Sequence, residues 1–70
     1  MSDFNYRVST IRDIENELRG WGDRFKTDAA FVKACREVWQ KTSYDAYGYY
    51  IISSQKVDEI MFRHLMSEAA

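Results

Sequence analysis

The sequence predicts an all-α fold, a single domain built as a small bundle of three to four short helices. Three observations carry that expectation. Apolar residues recur at steps of three and four along separate stretches, a Ser or Thr stands where each stretch begins, and none of the 70 residues is proline. A chain this short buries only about 60% of the surface it exposes when unfolded. With no disulfide framework, it must lean on helix packing or on association with a partner or a second copy of itself.

Residues 1–8 show no clear period and read as an irregular lead-in, with Phe4, Tyr6 or Val8 available to pack back on the core. The helical domain then spans residues 9–70. Thr10-x-x-Asp13 resembles a capping box, with aspartate where glutamate is preferred, and early acidic residues suit the helix dipole. Ile11, Ile14, Leu18, Trp21 and Phe25 draw one apolar stripe. Arg12, Glu15, Asn16 and Arg19 take the other face, where Glu15 and Arg19 form an i, i+4 pair worth a few tenths of a kcal/mol. Gly20 and Gly22 flank Trp21, and each costs about 1 kcal/mol inside a helix relative to alanine. Either the helix ends near Gly20 and Trp21 folds back on it, or it continues under strain to Phe25.

Thr27 with Asp28 opens the second helix, in which Phe31, Ala34, Cys35, Val38 and Trp39 follow the i, i+3, i+4, i+7, i+8 template. Residues 42–54, TSYDAYGYYIISS, admit two readings. Ser43 can cap a short helix with Tyr44, Tyr47, Tyr50 and Ile51 on one face, whereas Tyr49 to Ile52 has strong strand propensity. The helix is favoured, because a lone strand has no evident partner. Ser53 or Ser54 opens the last helix, with Val57, Ile60, Met61 and Leu65 on its apolar side, Phe62 at the margin, and Glu59 four residues before Arg63.

Ten basic residues face eleven acidic ones, and the balance holds in each third of the chain. No basic tail stands out, which disfavours direct DNA or RNA binding. No apolar run approaches a membrane span and nothing resembles a secretory leader. Cys35 is the only cysteine, so no internal disulfide forms, and its place in an apolar stripe reads as a small core residue. A soluble cytoplasmic protein is expected.

Catalysis requires converging groups, and these are scarce. His64 is the only histidine, and Glu59 five residues before it matches no zinc-binding spacing. Cys35 needs a neighbouring base to act as a nucleophile, and Gly20-x-Gly22 lacks the rest of a phosphate-cradling loop. The expectation is a non-enzyme without metal or cofactor. Four tyrosines between positions 44 and 50 cannot all point inward from one short element. They are either contact residues, of the kind that dominates interfaces, or the cover of a small core. Base stacking is a third use, but only Lys41 and Lys56 lie near in sequence.

Arg12, Asp13, Ile14, Leu18, Trp21 and Gly22 together resemble the opening of the phage antitermination protein Q family, in which Arg-Asp-Ile precedes Leu-Glu-Arg-Trp-Gly. Gly20 replaces the family's arginine before the tryptophan, and Arg19 stands one place earlier. The segment YDAYGYYIISSQKVDEI is similar to the tyrosine-rich lead into that family's helix-turn-helix, but the recognition helix has no counterpart. The resemblance therefore implies docking on bacterial RNA polymerase, with an effect on transcription, rather than DNA reading. Trp21, Tyr47, Tyr49 and Tyr50 are the expected anchors, and Arg19 and Arg24 the charged rim. A competing expectation is a stoichiometric inhibitor of a host defence complex, such as an anti-CRISPR protein. A homodimer is compatible with either.

Overall fold

The computed structural model describes residues 4–69, and it replaces the expected helix bundle with a three-stranded antiparallel sheet backed by helices. The chain runs β1 (Asn5–Val8), α1 (Ile11–Glu17), α2 (Arg19–Gly22), α3 (Asp28–Gln40), β2 (Ser43–Tyr44), β3 (Tyr50–Ser53) and α4 (Ser54–Ala69). The sheet order is β1-β3-β2, so the last strand lies between the other two.

Two expectations fail here together, and for one reason. Residues 5–8 of the supposed lead-in form β1, and the 42–54 segment is a strand pair rather than a helix. The missing partner for Tyr49 to Ile52 lies more than 40 residues earlier, with Tyr6 opposite Ile52 and Val8 opposite Tyr50. Once paired, alternation decides the faces. Val8 and Ile52 are buried and Tyr6 and Tyr50 half-buried, while Asn5 and Arg7 are exposed. Residues 1–3 of the lead-in lie outside the described residues.

The helix signals survive better. Thr10 Oγ1 accepts from the Asp13 amide, and Asp13 Oδ2 accepts from the amides of Thr10 and Ser9, at 3.0 and 2.8 Å. Those backbone donors hold the Asp13 carboxyl below its usual range. Thr27 caps α3 through a 3.1 Å bond from the Ala30 amide. Between these caps the helix takes neither of the two expected courses. α1 stops at Glu17, the buried Leu18 serves as its C-cap, and α2 is a separate turn holding both glycines, neither at positive φ. A Cβ on Gly20 would touch nothing within 4 Å, and one on Gly22 would make ordinary contact with the Phe31 ring at 3.6 Å. Packing thus does not demand glycine at either site.

The core lies between the helices and the inner sheet face. Ile14, Leu18, Ala34, Cys35, Val38, Val57, Ile60 and Met61 are almost fully buried there, joined by Phe25. Phe62 stands outside that stripe and is exposed. The expected i, i+4 ion pairs are exchanged for others. Arg63 turns from Glu59 to Glu37 on α3, Lys56 approaches Glu59 at 4.0 Å, and Arg19 donates to Asn16 rather than to Glu15. Glu37 also lies 2.8 Å from Nε2 of the largely buried His64, so one carboxylate ties α4 to α3. A partly buried acceptor is less screened than a solvated one, which favours the exchange. Among the described residues no helix is long and apolar enough to cross a membrane.

Candidate functional site

Two aromatic surfaces stand out, and they differ in construction. The first is built on α2 and α4. Trp21 is half-buried against the core edge, and its ring meets Phe62 edge-on with centroids 5.5 Å apart. Arg24 lays its guanidinium over the indole, 4.8 Å from the ring centroid. Met66 follows Phe62 by one helical turn and so shares its face, and the two side chains are 69% and 55% exposed. Trp21 and Arg24 also line a shallow concavity with Tyr6 and Glu17. The Tyr6 hydroxyl is held above its usual range, first by burial and then by the carboxylates of Asp58 and Glu17.

The second surface is the β2–β3 hairpin. Its loop is a tight turn in which the Asp45 amide donates to the Tyr49 carbonyl at 2.8 Å. Gly48 takes φ +87°, a left-handed conformation that side chains rarely adopt. Asp45 organises this loop. Its Oδ1 accepts from the Tyr47 and Tyr49 amides at 2.8 and 2.9 Å, and its Oδ2 faces Arg7 on β1 at 3.4 Å. The Tyr49 amide above all, with help from the Tyr47 amide and Arg7, holds the carboxyl below its usual range. Arg7 in turn lies 5.0 Å from the Tyr49 ring centroid and 5.8 Å from that of Tyr47. Tyr47 is 79% exposed, more than any other large hydrophobic residue among those described.

The six anchor and rim residues expected from the sequence divide among several places. Trp21 and Arg24 belong to the first surface, and Tyr47 and Tyr49 to the second. Tyr50 turns inward, stacking obliquely on Trp39 at 4.7 Å and meeting Tyr44 at 5.0 Å. Arg19 faces an acidic concavity between α1 and α3, beside Glu15, Asp23 and Asp28. Three further residues escaped the sequence reading. Met66 had a legible signal, since with Phe62 it forms an i, i+4 apolar pair off the core stripe. Asp45, two and four residues before Tyr47 and Tyr49, had the spacing of a side chain that closes a turn on its own backbone. Arg7 had none, because only the sheet brings it to the hairpin.

Cys35 and His64, the two groups the sequence singles out for chemistry, are both held within the fold. Burial first, and then the Glu15 carboxylate, pushes the Cys35 thiol up to about 12, so no thiolate forms near neutrality. His64 is engaged by Glu37. Among the described residues, no three His, Cys, Asp or Glu side chains gather closely enough to hold a metal ion. No family model, curated protein or solved structure matches the chain.

Proposed function

We propose that the protein is a non-catalytic docking module whose α2–α4 surface binds a protein component of a bacterial macromolecular complex. The observation that carries this reading is the continuity of Trp21, Phe62 and Met66 on one face, with Arg24 over the indole. Aromatic anchors beside an arginine are the composition that concentrates binding energy at interfaces, and a methionine adds an adaptable contact. RNA polymerase is the first candidate partner, with an antitermination-like effect on transcription. That choice rests on the resemblance of Arg12 to Gly22 to the antitermination protein Q family, within which Trp21 lies.

Immobilised protein is expected to retain RNA polymerase holoenzyme or a paused elongation complex. Phe62→Asp and Met66→Asp, both at exposed positions, should abolish retention while the circular dichroism spectrum stays unchanged. Failure of the unaltered protein to retain either complex refutes the polymerase assignment. Recovery of a defence complex instead, with the same sensitivity to Phe62→Asp, would move the reading to host-defence inhibition.

A further inference from the structure

The sheet has a second face, turned away from the helices. Arg7 on β1, Ile51 on β3 and Ser43 on β2 stand in one row across it, and Asn5 opposite Ser53 forms the next. Asn5, Arg7 and Ser43 are exposed. Two concavities lie on this face and share Asn5 and Ile51, so they form one groove. It begins at Asp45, Ala46 and Tyr47 on the hairpin and ends between Lys41, just past α3, and Lys56 in the first turn of α4. At about 3.3 Å per residue, the four residues of β3 give it a length of roughly 13 Å.

The charge along this groove departs from that of the chain. The whole protein carries a net −1, yet here Arg7, Lys41 and Lys56 face one carboxylate, Asp45. Both oxygens of that carboxylate are already engaged, by Arg7 and by two backbone amides. Lys41 has no ion-pair partner among the described residues, and Lys56 has only Glu59 at 4.0 Å with both side chains largely exposed. Between the lysines and the hairpin lie neutral hydrogen-bonding groups, namely Ser43, Ser53 and Asn5. The far end carries Tyr47, an open ring with a guanidinium beside it.

We infer that this open sheet face binds a short stretch of single-stranded nucleic acid. Lys41 and Lys56 contact successive phosphates, the serine hydroxyls and the Asn5 amide meet base or sugar edges, and an unpaired base stacks on Tyr47. Cations combined with an aromatic platform are what such binding requires, and a stacking ring can engage only a base released from a duplex. An acidic polypeptide would use the same lysines and can also pack on the ring, so competition by polyglutamate at equal charge separates it from a nucleic acid. The sequence alone disfavoured this use because Lys41 and Lys56 were the only cations near the tyrosines; β1 adds Arg7 and the sheet aligns all three. The inference does not depend on the α2–α4 docking surface.

Fluorescence anisotropy of the full chain with short labelled RNA and DNA single strands tests it. The logarithm of affinity should fall with the logarithm of salt with a slope of about −1.4, for two phosphate contacts at roughly −0.7 each. Lys41→Ala and Lys56→Ala should each flatten the slope by about 0.7. Tyr47→Ala should weaken binding by roughly tenfold at fixed salt and leave the slope unchanged. The RNA and DNA arms report whether the 2′-hydroxyl contributes. Absence of binding at low salt, a flat salt response, duplex binding as tight as single-strand binding, or displacement by polyglutamate at equal charge would each overturn the inference.

Discussion

The two aromatic surfaces show how one small chain can expose large rings in two ways. On α2 and α4 the rings extend outward from the core, since Trp21 packs against the buried cluster and Phe62 meets the Trp21 ring edge-on. On the hairpin the rings are held from outside the core, by a carboxylate bonded to their own backbone and a guanidinium borrowed from β1. The first arrangement ties presentation of the surface to global stability. The second allows the surface to change with little effect on the fold.

That contrast can be broken most severely at Trp21. Trp21→Ala removes packing at the core edge and is expected to cost about 2 kcal/mol in urea unfolding, below the range for a fully buried ring. The loss should appear as a lower midpoint at unchanged slope. A change under 0.5 kcal/mol would mean that Trp21 rests on the core without supporting it, and the two surfaces would then be alike.

The next test concerns the tie that orients α4. Glu37→Gln removes the charge that holds Arg63 and His64, and the expected cost at neutral pH is about 1–2 kcal/mol. The hydrogen bond from Arg63, followed by that from His64, holds the Glu37 carboxyl below its usual range. Its contribution is therefore fully present above the unfolded value and is lost as pH falls through the lower folded one. Unfolding midpoints measured from pH 7 down through the acid range should show the difference between parent and Glu37→Gln narrowing below about pH 4.5. A difference that stays constant with pH would mean that Glu37 acts by packing.

At the hairpin the analogous change should act only locally. Asp45→Ala frees the Tyr47 and Tyr49 amides, and hydrogen exchange at those two positions should accelerate while α3 and α4 keep their protection. Because the Asp45 carboxyl is also held below its usual range, the parent protein should show the same loosening when acidified through that lowered value. Spread of the acceleration into α3 would show that the hairpin is coupled to the core, against the contrast drawn above.

The same division explains what could be read in advance. α3 and most of α4 were legible because their core contacts repeat locally, with Ala34, Cys35 and Val38 or Val57, Ile60 and Met61 a turn apart. The caps at Thr10 and Thr27 were legible because their partners lie three residues away. The sheet was not. Each of β1 and β3 is four residues long, the hairpin lacks the Asn-Gly or Asp-Gly signal, and the pairing of Tyr6 with Ile52 is purely long-range. The candidate surfaces followed suit. Trp21 was singled out by a local apolar stripe, whereas the part Arg7 plays at the hairpin exists only once β1 and β3 pair.

Tyr47 supplies the smallest expected effect on stability and the most discriminating one. Its ring is mostly exposed and its amide bond to Asp45 is made by backbone, so Tyr47→Ala should retain that bond and shift stability by no more than about 0.5 kcal/mol. Phe62 is also exposed but shares its ring contact with the core-linked Trp21, so Phe62→Ala should cost measurably more. If both rings are present only to shield a small core, the two variants should lose stability in proportion to the area each covers, and neither should alter any interaction. If the rings are contact residues, Tyr47→Ala should fold as the parent does and lose only single-strand binding, while Phe62→Ala should lose the protein partner to an extent that its modest cost in stability does not account for. Paired unfolding and binding measurements on both variants decide between these outcomes, since the shielding account predicts loss of stability with binding unchanged and the contact account predicts loss of binding beyond any loss of stability.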